Sequence, residues 1–452
     1  MHHRRWENNM KVIIIGGVAA GMSAASKIAR EDKTAEVVVY EKGGFLSYGA
    51  CGLPYYVGDF NDDYRRMIAR TREEFEQMGI KSFLHHEVTA VSFKDKTVTI
   101  TDKKTGRVFT DTYDKLMISV GAASVMPPFP GNEKMGVHLL KTLEDGIFLR
   151  EYAKQPSIKN VVIVGGGYIG IECAEAFLHL GKNVRLIEAA DRILTPFDEE
   201  ISRYAKAELE NRGVHLHLSE KVKSFSGGFY VEQVETDKGV YPADLVIVAV
   251  GVRPSTGFLK DTGIEMAANG AILVDRRMHT SVQDVYAAGD CILVYDKVMQ
   301  EDAFYALGTV ANKCGRIAGN NMAGGSEIFD GALGSAAIKV CGLEMGRTGI
   351  GEAQAKKLGI RYKTTLIRAY DHPAYYPDPT PVTIKLIYEE GTRKLLGAQA
   401  CGEKGAVMRV DIFAVAIHAG MTTKELGMTD LIYAPPFAGV WDAVHIASNA
   451  AK

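Results

Sequence analysis

The stretch FLSYGACGLPYY, Phe45 to Tyr56, sets Cys51 among Gly49, Ala50, Gly52 and Pro54, and no other cysteine occurs in the first 172 residues. Glycine and proline around a thiol let the backbone turn sharply and approach a ligand closely. That setting suits a sulfur nucleophile held against a flat cofactor. The alternative is a cysteine used as a small buried hydrophobe, because free cysteine is among the most buried residue types. The six cysteines, at 51, 173, 291, 314, 341 and 401, form no CxxC or CxxxxC pair. Their scatter argues against a zinc site, a disulfide framework or a dithiol redox centre. Cys173, Cys291, Cys314, Cys341 and Cys401 read as packing residues.

A lone redox sulfur needs an electron source, and two glycine loops offer places for one. KVIIIGGVAAGMSAASKIAR, from Lys11, reads as apolar strand, phosphate loop and helix, and a second strand ends in Glu41, 25 positions after Gly16. Small residues let the backbone reach a pyrophosphate at the helix N-terminus, and the acid accepts from ribose hydroxyls. Gly16 and Gly21 hold the first and third glycine places, while Val18 takes the second. The pattern returns complete from Asn160 as VVIVGGGYIGIECAEAF, with Gly165, Gly167 and Gly170, and Glu188 closes the next strand. Both halves end alike, in YDKLMISVGA and ADLVIVAVGVRP. The spacing predicts an internal duplication of one dinucleotide-binding domain. Later, VYAAGDC puts Asp290 at a strand end, where a bound polyol could meet it.

The expected architecture is α/β, with two duplicated Rossmann-like domains and an α+β C-terminal domain. The first domain is discontinuous, 10–123 and 252–325; the second spans 124–251; the C-terminal domain takes 326–452, after a glycine-rich linker. A chain of 452 residues is long enough for about three domains. Net charge of −2 gives no whole-chain case for nucleic acid or an anionic membrane. No apolar run reaches ~18 residues, so no transmembrane span is expected, and the start MHHRRWENN lacks a signal-peptide core, which predicts a cytoplasmic protein. Met10 directly precedes the first strand, which makes Met1–Asn9 a leader or remnant in this reading.

With two nucleotide loops, the AAGD segment and SxxxCGLPY in hand, the chain resembles the FAD-dependent pyridine nucleotide-disulfide oxidoreductases from Met10 to the C-terminus. It is most similar to their single-cysteine branch of coenzyme A-disulfide reductase, persulfide and polysulfide reductases, NADH oxidase and NADH peroxidase. The CGLPY tail is similar to the CoA-disulfide and persulfide reductases. The histidine that oxidases and peroxidases carry in the first loop is Ala19 here, and the Asn that often precedes the cysteine is Ala50. YAPPF and VWDAVHIASN resemble the branch's dimerisation domain. With no rhodanese-like module following it, the expectation tilts slightly from persulfide toward disulfide.

The resemblance implies FAD on the first domain, with Gly16 and Gly21 at the pyrophosphate, Glu41 at a ribose and Asp290 at the ribityl chain. NADH, or NADPH, is expected on the second through Gly165, Gly167 and Gly170. There Glu172 sits toward the nicotinamide, and Glu188 disfavours a 2′-phosphate, a preference softened by Arg185 and Arg192. Val18, Ala19, Ala20, Lys42, Ser47, Gly121, Tyr168, Ile169 and Gly251 complete the expected cofactor contacts. Cys51 is the expected nucleophile, in positive potential of unspecified source, with Tyr375, Tyr376 and the partner-derived Tyr433 as phenols at the substrate. Lys27, Arg30, Ser47, Arg65, Arg66 and Arg70 are the candidates for coenzyme A, as substrate or bound ligand. The implied function is NAD(P)H-dependent reduction of a CoA disulfide or persulfide by a homodimer, with no metal. NADH oxidation by oxygen and a redox-responsive flavoprotein acting through a binding partner are the alternatives.

Overall fold

Lys11–Ile15 and Asn160–Val164 are continuous β-branched runs, and such strands are stable where helices cover both sheet faces. The computed structural model, which describes residues 9–452, makes each run the centre of a five-stranded parallel sheet. The first sheet is ordered Val285–Ala287, Lys115–Ile118, Lys11–Ile15, Glu36–Glu41, Ile80–Leu84, with Ile13 between Leu116 and Val38. The second is ordered Val137–His138, Leu245–Val248, Asn160–Val164, Asn183–Ile187, His215–His217. Each half also carries one three-stranded antiparallel sheet, His86–Ser92 to Val108–Thr112 in the first and Val222–Ser226 to Val240–Pro242 in the second. The duplication therefore extends beyond the glycine loops to the whole topology. The leader reading of the first residues falls, for residues 1–8, outside the described residues.

Gly121 (φ +62°) and Gly251 (φ +119°) end the two halves in left-handed backbone, which glycine adopts at little cost. From them Ala122–Ser124 and Val252–Pro254 pair antiparallel, with Ser255 N–H donating to Gly121 O and Val125 N–H to Gly251 O. This two-strand crossing is the covalent bridge between the halves. It sets the second glycine loop opposite the segment that carries Cys51.

The C-terminal region is a five-stranded antiparallel sheet, with Leu395–Gly402 at its centre, covered by helices Ala406–His418 and Ala443–Ala450. One cation ties it to the second dinucleotide domain. Lys385, 1% exposed, reaches Asp198 at 3.2 Å, Glu200 at 2.8 Å and Glu352 at 2.5 Å. A buried ammonium persists only with such compensation, and removing it leaves three carboxylates repelling one another. Lys385→Met is expected to cost about 3 kcal/mol in urea unfolding, and adding Glu200→Gln with Glu352→Gln should recover part of that loss. A melt unchanged by Lys385→Met would contradict this account. Among the described residues no helix is long and apolar enough to cross a membrane.

Candidate active site

Close contact, more than backbone angle, decides which glycines the two loops need. A Cβ on Gly21 would stand 1.9 Å from Gly16 O, and one on Gly170 would stand 2.0 Å from Gly165 O. The first glycines, Gly16 (φ +97°) and Gly165 (φ +110°), hold the left-handed turn. The middle place is different: Gly167 has φ −80° and open space at its Cβ, so Val18, with φ −103°, fits the same role. Neither helix Ala19–Glu31 nor helix Tyr168–His179 has a side-chain cap at its start. Their first N–H groups are left for a ligand, which is the arrangement a pyrophosphate requires.

Glu41 and Glu188 are placed alike. Glu41 accepts from Gly17 N–H and Gly43 N–H, both at 2.7 Å, and Glu188 from Gly166 N–H at 2.6 Å and Ala190 N–H at 2.7 Å. The acids thus brace their own loops, a duty absent from the simple picture of ribose acceptors, and each oxygen keeps lone-pair capacity for a hydroxyl. Lys42 is exposed beside Glu41. Arg185 does not face the second loop: it donates to His217 Nε2 at 3.0 Å and lies over Tyr241 at 4.5 Å. The other arginine expected to soften nucleotide choice, Arg192, pairs with Asp191 at 3.8 Å.

Cys51 lies in a 3-10 turn, Ala50–Gly52, that runs into helix Leu53–Val57, with Pro54 in the first turn. Gly49 and Gly52 have ordinary φ values of −82° and −80°, so neither supplies the sharp turn expected of them; Ser47, at φ +47°, does. Ser47 N–H donates to Gly17 O at 3.0 Å and Gly49 N–H to Met67 O at 2.8 Å, which fastens the cysteine turn to the first glycine loop. Cys51 is exposed, whereas Cys173, Cys291, Cys314 and Cys401 are buried and Cys341 is half-buried.

The positive potential expected at Cys51 is not what surrounds it. Desolvation by the neighbouring protein pushes its thiol up, Glu172 and Asp290 push the same way, and Lys141 and a backbone hydrogen bond oppose them. Lys141, which the sequence reading passed over, bonds Asp290 at 3.4 Å. Tyr55 donates to Glu172 at 3.3 Å, and burial raises the Glu172 carboxyl to about 7. Glu172 is therefore half-buried against the cysteine segment rather than a free surface acid.

Beside this turn opens a cleft of about 500 Å³ lined by Ala19, Ser23, Ser47, Gly49 and Phe75 and by four cations, Arg30, Arg70, Lys313 and Arg316. Among the described residues none of the four has a carboxylate within 4.0 Å, whereas Lys27 is buried on Glu31 at 2.5 Å and Arg65 is held by Asp63 at 2.8 Å. Of the expected basic residues the cleft thus gathers Arg30 and Arg70. Lys27, Arg65 and Arg66 do not line it, Arg66 being paired with Asp62 at 3.0 Å. Lys313 and Arg316 were missed because they lie on Gly308–Met322, far along the chain. A signal existed: Gly315 and Gly319 abut Ala20 and Ala24, with would-be Cβ contacts of 2.3 and 2.6 Å, so small residues four apart on both helices announce the close crossing.

Tyr375 and Tyr433 share a hydrogen bond at 2.7 Å, and Tyr376 packs on His372. No described hydrogen bond or ring contact joins them to Cys51 within one chain. Ile432, Phe437, Val440 and Trp441 around Tyr433 are exposed, an apolar surface of the kind that marks an interface.

The sequence profile described as pyridine nucleotide-disulphide oxidoreductase matches residues 10–310, and the dimerisation-domain profile of the same description matches 335–444. A Pyrococcus horikoshii protein named NAD(P)H coenzyme A polysulfide/persulfide reductase is 37% identical over 98% of this chain and 98% of its own. An Enterococcus faecalis NADH oxidase is 34% identical over 98% of this chain and 99% of its own. The structure of an NAD-dependent persulfide reductase from A. fulgidus superposes with TM-score 0.94 at 34% identity, covering 98% of this chain and 83% of that one. The persulfide name thus occurs on a relative matched nearly end to end.

Proposed function

The chain belongs to the pyridine nucleotide-disulphide oxidoreductase family, and from that premise we propose that it uses NAD(P)H to reduce a coenzyme A disulfide or persulfide at Cys51. The observation that carries this reading is the cleft beside the cysteine turn, where four cations stand with no carboxylate of the described residues within 4.0 Å. Coenzyme A brings several phosphate charges, and guanidinium groups bind phosphate with matched geometry. An elemental small disulfide would need none of them. The NADH oxidase relative keeps oxygen as the second reading, but Ala19 puts no acid-base group into the cleft.

The first glycine loop suits FAD: its crowded Gly21–Gly16 contact and uncapped helix start form the cradle, with Glu41 and Asp290 as polar partners. When bound, the flavin supplies the two-electron relay from reduced nicotinamide to sulfur. The chain does the rest. The cleft cations seat the ADP part of the substrate and so direct its sulfur toward the turn at Gly49. The Cys51 thiolate attacks the S–S bond; one thiolate leaves and takes a proton, and the other half stays on Cys51 as a mixed disulfide. Two electrons and one proton return Cys51 to thiolate and release the second thiol. The family's dimerisation domain makes the chain a homodimer, and in this reading the Tyr375–Tyr433 pair of one subunit donates to the leaving thiolate at the other's Cys51.

Glu188, anchored by two backbone N–H groups, opposes a 2′-phosphate, so NADH is the preferred donor. Glu188→Ala should narrow that preference about ten-fold, or ~1.4 kcal/mol, in the ratio of kcat/KM values. A wild-type enzyme that strongly prefers NADPH would show Arg192 governing the pocket instead. The experiment that tests the reading as a whole is side-by-side turnover of CoA disulfide, CoA persulfide and oxygen by the FAD-loaded dimer.

A further inference from the structure

Helix Leu53–Val57, which follows Cys51 directly, meets helix Tyr168–His179 of the second domain so closely that a Cβ on Gly58 would lie 2.8 Å from Ala176. Across this seam Tyr55, one turn beyond Cys51, donates to Glu172 at 3.3 Å. Three carboxylates face the region, and their partners differ. Asp290 has Lys141 at 3.4 Å. Glu175 has Lys339 at 3.4 Å and accepts from Cys341 N–H at 3.1 Å. Among the described residues Glu172 has only the Tyr55 phenol and is the one carboxylate of the three with no cation within 4.0 Å, on a half-buried site across the seam from the helix that follows Cys51.

Granting Cys51 as the reactive sulfur, we propose that Glu172 is a positioning residue that governs when Cys51 ionises, its neutral form permitting the thiolate and its ionised form opposing it. Like charges in a half-buried site disfavour each other, and each group's titration then depends on the other's. The groups facing Cys51 are Glu172, Asp290 and Lys141, with Tyr55 on the adjoining helix; those facing Glu172 are Tyr55, Cys51 and, from its own helix, Glu175 and Tyr168. Burial holds the Glu172 carboxyl near 7, and burial together with the Glu172 charge pushes the Cys51 thiol up. The first glycine loop offers no competing group, because Ala19 stands there. The device has a use in the cycle: a carboxyl that takes up and loses its proton around neutral pH lets the sulfur carry the negative charge needed for attack while the proton is on.

The test is the rate of iodoacetamide reaction at Cys51 in reduced, FAD-loaded enzyme, read by peptide mass from about pH 5.5 to about 9. Wild type should rise more shallowly than a single ionisation, with a break near the Glu172 titration. Glu172→Gln should give a one-proton curve displaced to lower pH and about ten-fold faster alkylation at neutral pH, one unit of displacement. Glu172→Asp should restore the break. Tyr55→Phe, which keeps the carboxyl but removes the bond that favours its ionised form, should move the break to higher pH. Glu172→Gln and Tyr55→Phe profiles that overlay wild type would overturn the proposal. A Cys51→Ser control separates the two levels: label that persists there shows that another sulfur reacts and defeats the assignment of Cys51 itself.

Discussion

Replacing Cys51 with Ser is expected to lower CoA disulfide and persulfide turnover by several orders of magnitude, while the protein stays yellow and its flavin is still reduced by NADH. A hydroxyl is far too weak an acid to attack sulfur and then accept electrons through the bond it forms. The proposed FAD cradle, by contrast, consists of Gly16, Gly21, Glu41 and Asp290, none of which depends on the thiol. The other five cysteines are buried or half-buried, and burial pushes Cys291, Cys314 and Cys401 up to about 12 and Cys341 up to about 11. They are not thiolates at neutral pH, so Ser at any of them should cost stability at most. The same variant divides the two readings of the reaction. Simple leakage of electrons to oxygen should survive Cys51→Ser, whereas four-electron reduction through a sulfenate should degrade to release of peroxide. Wild-type disulfide turnover in the variant would remove Cys51 from the reaction.

The second large effect is expected from reversing charge in the cleft. Arg70→Glu together with Arg316→Glu should lower kcat/KM for CoA disulfide on the order of 10³-fold, since a hydrogen bond to a charged group contributes about 1.5–3 kcal/mol and two are lost. Turnover of a small disulfide without phosphates should change little. Arg70 and Arg316 come from segments far apart in the chain yet line one cleft beside Gly49, so a selective loss would tie the phosphates to this cleft. Equal loss on both substrates would point to damage at the cysteine turn, and no loss on either would place coenzyme A elsewhere. The measurement is steady-state kinetics with the two disulfides in parallel.

Much of this site is written locally, and the part that is not has a common cause. Gly21 and Gly170 are legible because contact with the same loop demands glycine there, Gly16 and Gly165 because they hold its left-handed turn, and Glu41 and Glu188 because a carboxylate at a strand end has few other uses. Val18 looked like a defect and is not one, since its backbone angle is open to any residue. What the residues alone do not reveal is charge brought from a distance. The charges of Lys141 and Glu172 act on the sulfur only once the two dinucleotide halves fold against each other. Lys313 and Arg316 reach the cleft only through the Gly315–Gly319 crossing on Ala20 and Ala24. Lys27 shows the converse: a basic residue on the expected helix, turned instead to Glu31. Tyr433 and Cys51 belong to one site only if two subunits build it.

Trapping the covalent intermediate tests the central claim most directly. Reduced, FAD-loaded enzyme is mixed with a slight excess of CoA disulfide in the absence of NAD(P)H, quenched in acid and digested without reductant for peptide mass analysis. One coenzyme A per chain, joined by a disulfide to the peptide that contains Cys51 and removed on addition of NADH, is the predicted result. An unmodified Cys51 peptide, or coenzyme A on any of the other five cysteines instead, would contradict it.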